Sequence, residues 1–161
     1  MSKLFSRFEI LFVAAIVILA LALRLYKIEN PVADWHSWRQ ADTASVTRVF
    51  AKDGINLFVP RFQDLSSIPS GKPNPQGYRM VELPLYNVLH LATFRLAPSL
   101  GLDGAGRLTS VLISLVSIVF LYLSVRKLSG PILGLLSAFL YAVMPFSIYY
   151  SRVILPEPLM I

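Results

Sequence analysis

The sequence predicts an all-α membrane protein with about three transmembrane helices and a long outer loop that carries interfacial helices. Three observations predict it. Long apolar runs without charge recur at Ile10 to Leu23, Leu108 to Val125 and Pro131 to Tyr150. Seven of the nine acidic residues fall between Glu29 and Asp103, in the polar stretch that separates the first run from the other two. With 55% hydrophobic residues in 161 and a mean hydropathy of +0.62, the chain has too little polar surface to cover three such helices in water.

A helix needs roughly 20 apolar residues to cross the hydrocarbon core, with about 17 as the lower limit. The first span, about 8–25, follows Lys3 and Arg7. Ala20-Leu21-Ala22 loosely resembles a signal-peptidase site, but the apolar core runs through it to Leu23 without a polar gap and, Arg24 apart, on to Leu25, which favours a retained anchor. The outer loop covers about 28–106. Within it, 42–53 reads as a helix with Val46, Val49 and Phe50 on one side, Arg48 and Lys52 four apart, and Gly54 as a stop. Ser66 to Gly77 is rich in Ser, Pro and Gly and reads as a loop able to close over a ligand. A second juxtamembrane helix, about 85–97, places Leu85, Val88, Leu89, Ala92 and Leu96 at helical spacing. Asn87, His90 and Arg95 interrupt it, so it reads as lying in the interface with His90 on its polar face. The remaining spans are about 108–125 and 131–150. The chain then stops at Leu159-Met160-Ile161, in what reads as the start of another apolar segment, so the expectation is the N-terminal part of a larger transmembrane domain.

Orientation follows from the basic residues. Lys3 and Arg7 before the first span, and Arg126 with Lys127 between the second and third, belong in the cytoplasm by the positive-inside rule. The long loop and the tail after Tyr150 then share the outer face. Were Leu83 to Pro98 to span instead, Arg126 and Lys127 would face outward and the tail inward.

The formal charge of +6 does not indicate nucleic acid, because the basic residues are scattered among most of the carboxylates and form no block. Solvated loop charges, or attraction to anionic lipid and phosphate, is the better reading. Zero cysteines exclude disulfides and thiolate metal sites.

Four outer clusters hold the residues able to do chemistry: Asp34 to Asp42, Glu82 to Tyr86, Asn87 with His90, and Ser151 to Glu157. Ionisable groups at a membrane boundary are costly unless paired, hydrated or functional. Glu82 and Glu157, with an imidazole, form a donor set for a divalent cation. Asp42 or His36 can take a proton from a hydroxyl, and Arg39 or Arg152 can grip a phosphate. Each has a plainer alternative. Asp42 can cap the helix it begins, Trp35 and Trp38 can be belt anchors, and Arg152 can snorkel.

The run His36-Ser37-Trp38-Arg39-Gln40-Ala41-Asp42-Thr43-Ala44, then Arg48-Val49-Phe50, Glu82-Leu83-Pro84-Leu85-Tyr86, Tyr149-Tyr150-Ser151-Arg152 and Leu155-Pro156-Glu157, resembles the N-terminal part of GT-C superfamily integral-membrane glycosyltransferases. The similarity is to the branch holding protein O-mannosyltransferases and the lipid A aminoarabinose transferase. The resemblance implies transfer of a sugar from a polyprenyl-phosphate donor to a hydroxyl acceptor. It places the enzyme in the plasma (inner) membrane with its site facing the periplasm or outside, and gives it membrane lipid and the rest of its own transmembrane domain as partners. It assigns Glu82 and Glu157 to a divalent metal cation, the implied cofactor. The usual Asp-Glu pair after the first span is replaced here, so Asp42 is the leading base with His36 and Asp34 as rivals. Arg39, Gln40, Trp38, Tyr86 and Arg152 form the candidate substrate-binding set. The alternative function is a non-catalytic membrane module that binds or transports a lipid-linked glycan.

Overall fold

The computed structural model describes residues 6–32, 36–67 and 71–159. Among the described residues there is no strand, only an isolated antiparallel bridge between Arg61 and Tyr78. The first helix, α1 (Arg7–Leu25), opens on a capping box. Ser6 Oγ accepts the Glu9 N–H at 3.1 Å and the Glu9 carboxylate accepts the Ser6 N–H at 3.3 Å. The Glu9 carboxylate also accepts from Tyr122 Oη at 2.8 Å and from Arg126 Nε at 2.6 Å. Those two residues lie at the far end of α4 (Gly101–Ser129), so the start of α1 meets the end of α4 and the two helices run antiparallel.

Both α1 and the segment containing α4 are long and apolar enough to cross a membrane. At 1.5 Å per residue α4 reaches about 44 Å, well beyond a hydrocarbon core of about 30 Å, so part of it stands outside. One residue, Gly130 at φ 94°, turns α4 into α5 (Pro131–Val143). Gly134 then permits close approach: a Cβ there would lie 3.0 Å from the Tyr122 carbonyl oxygen. Ile16 and Ala20 of α1, Ile118 and Tyr122 of α4, and Ala138 and Ala142 of α5 form the core of this three-helix bundle. Small residues at such a seam let apolar helices pack by van der Waals contact.

The stretch 131–150, expected as one span, is two helices. α5 ends at Val143, Met144 is extended (φ −61°, ψ 127°), and α6 (Pro145–Tyr150) starts anew. Proline disfavours a helical residue before it and has no N–H for the carbonyl four residues back. That carbonyl belongs to Tyr141. The 13 residues of α5 span only about 20 Å.

The second layer packs α2 (Ser37–Asp53) on α3 (Leu85–Leu96) through Val46, Phe50 and Leu91, with Phe62 of the loop. Ala44, Tyr86 and Ile154 join this layer to the segment after α6. The helix expected over 42–53 therefore begins five residues earlier. In α3 the polar side faces the protein, contrary to expectation: Asn87 and His90 are buried while Leu85, Leu89 and Leu96 point outward. An apolar outer face suits a helix lying against lipid.

Candidate functional site

The site is built around the first two turns of α2. His36 precedes the helix in the left-handed region, φ 60° and ψ 28°, and its carbonyl accepts the Gln40 N–H at 3.1 Å. That geometry starts the helix at Ser37, so Asp42 lies inside it and caps nothing. The inward face of α2 is polar. Gln40, fully buried, accepts the Ile154 N–H at 3.0 Å and so fixes the tail segment. Asn87 Nδ2 donates to the Thr43 carbonyl at 2.7 Å and to Thr47 Oγ1 at 2.9 Å. Thr47 Oγ1 lies 3.0 Å from His90 Nδ1, and His90 Nε2 lies 2.8 Å from the Leu102 carbonyl. A carbonyl only accepts, so Nε2 carries the proton and Nδ1 accepts from Thr47. Burial holds the His90 pKa below its ordinary value, so the ring is neutral at pH 7.

A cavity of about 330 Å³ opens beside this helix. His36 and Arg39 stand on one wall, and Tyr141, Tyr150, Ser151 and Glu157 on others. Most of its surface is apolar and aromatic. Tyr150 stacks on Phe146 with ring centroids 4.4 Å apart and sits 6.3 Å from the His36 ring. Arg39 Nη2 donates to Glu82 Oε2 at 2.5 Å, and Arg79 Nη2 pairs with Asp42 Oδ2 at 3.3 Å.

Two buried arginines hold the cavity's walls. Arg24, at the end of α1, donates to the Ala142 carbonyl at 2.9 Å, the Tyr141 carbonyl at 3.3 Å and Ser151 Oγ at 2.6 Å. The two carbonyls belong to the last turn of α5, which the break before Pro145 leaves open, and a membrane interior offers no water to satisfy them. Arg107, in the part of α4 beyond its apolar run, donates to the carbonyls of Asn30, Pro31 and Arg152. It ties the chain after α1 to the chain after α6. Sequence reading singled out neither. The signal available was Pro145, whose missing N–H calls for a donor nearby.

The sequence candidates divide clearly. His36, Arg39 and Glu157 meet at the cavity, and Glu82 reaches it through Arg39. Arg152 lies at the junction with α1, donating to the Lys27 carbonyl at 3.3 Å. Gln40 and Tyr86 are internal. Tyr86 Oη donates to the Gly106 carbonyl at 2.9 Å and lies 2.9 Å from Ser110 Oγ, and burial drives its pKa upward. Asp42 does not line the cavity with Arg39. It faces a separate polar hollow of about 400 Å³ with Arg48, Gln63, Asp64 and Asp103. Exposed Trp38 shares a shallower hollow with Asp42. Burial raises the Asp42 pKa above the usual Asp value, Arg79 opposes the rise and Asp64 adds to it. Asp34 and Trp35 lie outside the described residues.

Among the described residues no group of three or more His, Asp and Glu stands close enough to hold a divalent cation. Both nitrogens of His90 are engaged within the fold, and the Glu82 carboxylate is occupied by a guanidinium. As arranged, these described residues do not fit a metal.

Residues 88–161 match the family of dolichyl-phosphate-mannose-protein mannosyltransferases. The matched stretch runs from α3 through the Tyr141, Tyr150, Ser151 and Glu157 side of the cavity. With the apolar helices, it supports a membrane glycosyltransferase of the GT-C type. Comparison with curated proteins and with solved structures returns no match.

Proposed function

We propose that this chain forms the donor-binding part of a glycosyltransferase that moves a sugar from a polyprenyl phosphate to a hydroxyl acceptor at the outer face of the plasma (inner) membrane. One observation carries the reading: among the described residues, Arg39 is the arginine that lines a largely apolar, aromatic cavity at the end of a membrane-type helix bundle. Such a cavity suits an amphiphile with an isoprenoid chain and one anionic head. The matching family's description supplies the same ligand class, a lipid-phosphate-linked sugar.

In the mechanism, an acceptor hydroxyl gives its proton to Asp42 as its oxygen bonds to the anomeric carbon. The carbon–oxygen bond to phosphate breaks, the phosphate keeps the electron pair, and configuration at the carbon inverts. Arg39 meets the charge that builds on the leaving phosphate. The raised pKa of Asp42 suits a base better than that of an ordinary carboxylate. The outward orientation is supported by the Glu9–Arg126 pair, which brings the basic ends of α1 and α4 to the face opposite the cavity.

The separation of Asp42 from the Arg39 cavity favours a second reading, a module that binds or transports a lipid-linked glycan without turnover. Membranes holding the full-length protein, incubated with radiolabelled polyprenyl-phosphate sugars, decide between them. Sugar release lost in Asp42→Asn supports the transferase. Donor binding without release in wild type and Asp42→Asn alike supports the module.

A further inference from the structure

The Arg39–Glu82 contact is half of a crossed pair. Arg39 and Asp42 stand three residues apart on α2, Arg79 and Glu82 three apart on the loop, and each cation faces an anion in antiparallel order. The two ends of this clasp are secured differently. At one end Arg79 also donates its N–H to the Pro60 carbonyl at 2.9 Å, and its guanidinium lies 5.3 Å from the Phe62 ring centroid. At the other, Arg39 is the partner that holds the Glu82 carboxylate among the described residues. Both side chains of that pair keep contact with solvent, at 29% and 21% exposure, so the pair can exchange.

Arg39 lines the cavity and Glu82 does not. An anion entering the cavity therefore meets a guanidinium already committed to a carboxylate, with Glu157 as a second negative charge on the wall. We infer that Glu82 is a displaceable counterion: a phosphate takes Arg39 from it, and that competition weakens the hold on a phosphate monoester more than on a diester. The inference rests on reading the cavity as a lipid-phosphate site. A phosphodiester carries one negative charge, whereas a monoester carries about 1.5 to 2 near neutral pH. The donor is a diester and the departing lipid phosphate a monoester. Glu82 thus works against retention of the product, and its release frees a carboxylate at the mouth of the loop.

The test uses the full-length protein in detergent, titrated calorimetrically with a polyprenyl monophosphate and with its methyl ester. Glu82→Gln should tighten the monoester by about fivefold and the methyl ester by less. Arg39→Gln should weaken both, and the double variant should match Arg39→Gln. Glu82→Ala gives a second reading should Glu82→Gln fold poorly. Unchanged or weaker monoester binding in the Glu82 variants, with Arg39→Gln still weakening it, would overturn the inference while leaving the cavity reading intact. Failure of wild type and all variants to bind either lipid would remove the cavity reading and the inference with it.

Discussion

Arginine serves two purposes in neighbouring parts of this molecule. Arg24 and Arg107 are 0% and 2% exposed and spend their donors mainly on backbone carbonyls. Arg39 faces a cavity and is met by one carboxylate. A buried guanidinium spread over several fixed dipoles is part of the fold, because removing it orphans every acceptor at once. A guanidinium held by one solvated ion pair can change partner. The difference separates what builds the wall from what meets the ligand.

The largest expected effect breaks the wall. Arg107→Met leaves the Asn30, Pro31 and Arg152 carbonyls without their donor and should cost about 3 kcal/mol, read as a lower thermal midpoint in detergent. Gly106→Ala should follow, at about 2 kcal/mol, because the cavity-side layer is overpacked by any added carbon. A Cβ at Gly106 would lie 2.8 Å from His90 Cε1 and 3.1 Å from Ile154.

A smaller effect comes from pH. Burial lowers the His90 pKa, so the folded state binds that proton less readily than the unfolded chain. Stability should therefore fall as pH drops below about 6.5, and His90→Gln should flatten that dependence in a pH series of melting curves. On the ligand side the pKa shift runs the other way, although the loss is again on the acid side. Asp42 has a raised pKa, so its basic form is lost as pH falls through a value above the ordinary Asp figure of about 3.9. The acid limb of transfer activity should lie accordingly high. Arg79→Met removes a charge that opposes the rise and should move that limb to higher pH still.

Sequence reading found what periodicity and charge can show. Uncharged runs marked α1 and α4, because length and apolarity alone make a helix able to cross a membrane. The start of α2 was missed because it depends on His36 adopting a left-handed backbone, which even histidine adopts uncommonly. The third run looked continuous because proline is apolar, although its missing N–H breaks the helix at Met144. Site residues were legible as types but not as roles. Gln40 shares a motif with Arg39 and Tyr86 one with Glu82, yet both face the interior, where each satisfies a buried backbone group. Glu82 was recognisable as important, but its partner, 43 positions earlier, is set by how the loop returns along α2.

The most direct test is the thermal shift that a polyprenyl monophosphate induces in wild type and in Arg39→Gln of the full-length protein. Arg39 as a ligand group predicts that Arg39→Gln melts near the wild-type temperature without lipid and loses most of the lipid-induced rise. A variant that keeps the full rise, or that melts as low as Arg107→Met before any lipid is added, would contradict the division between wall and ligand arginines.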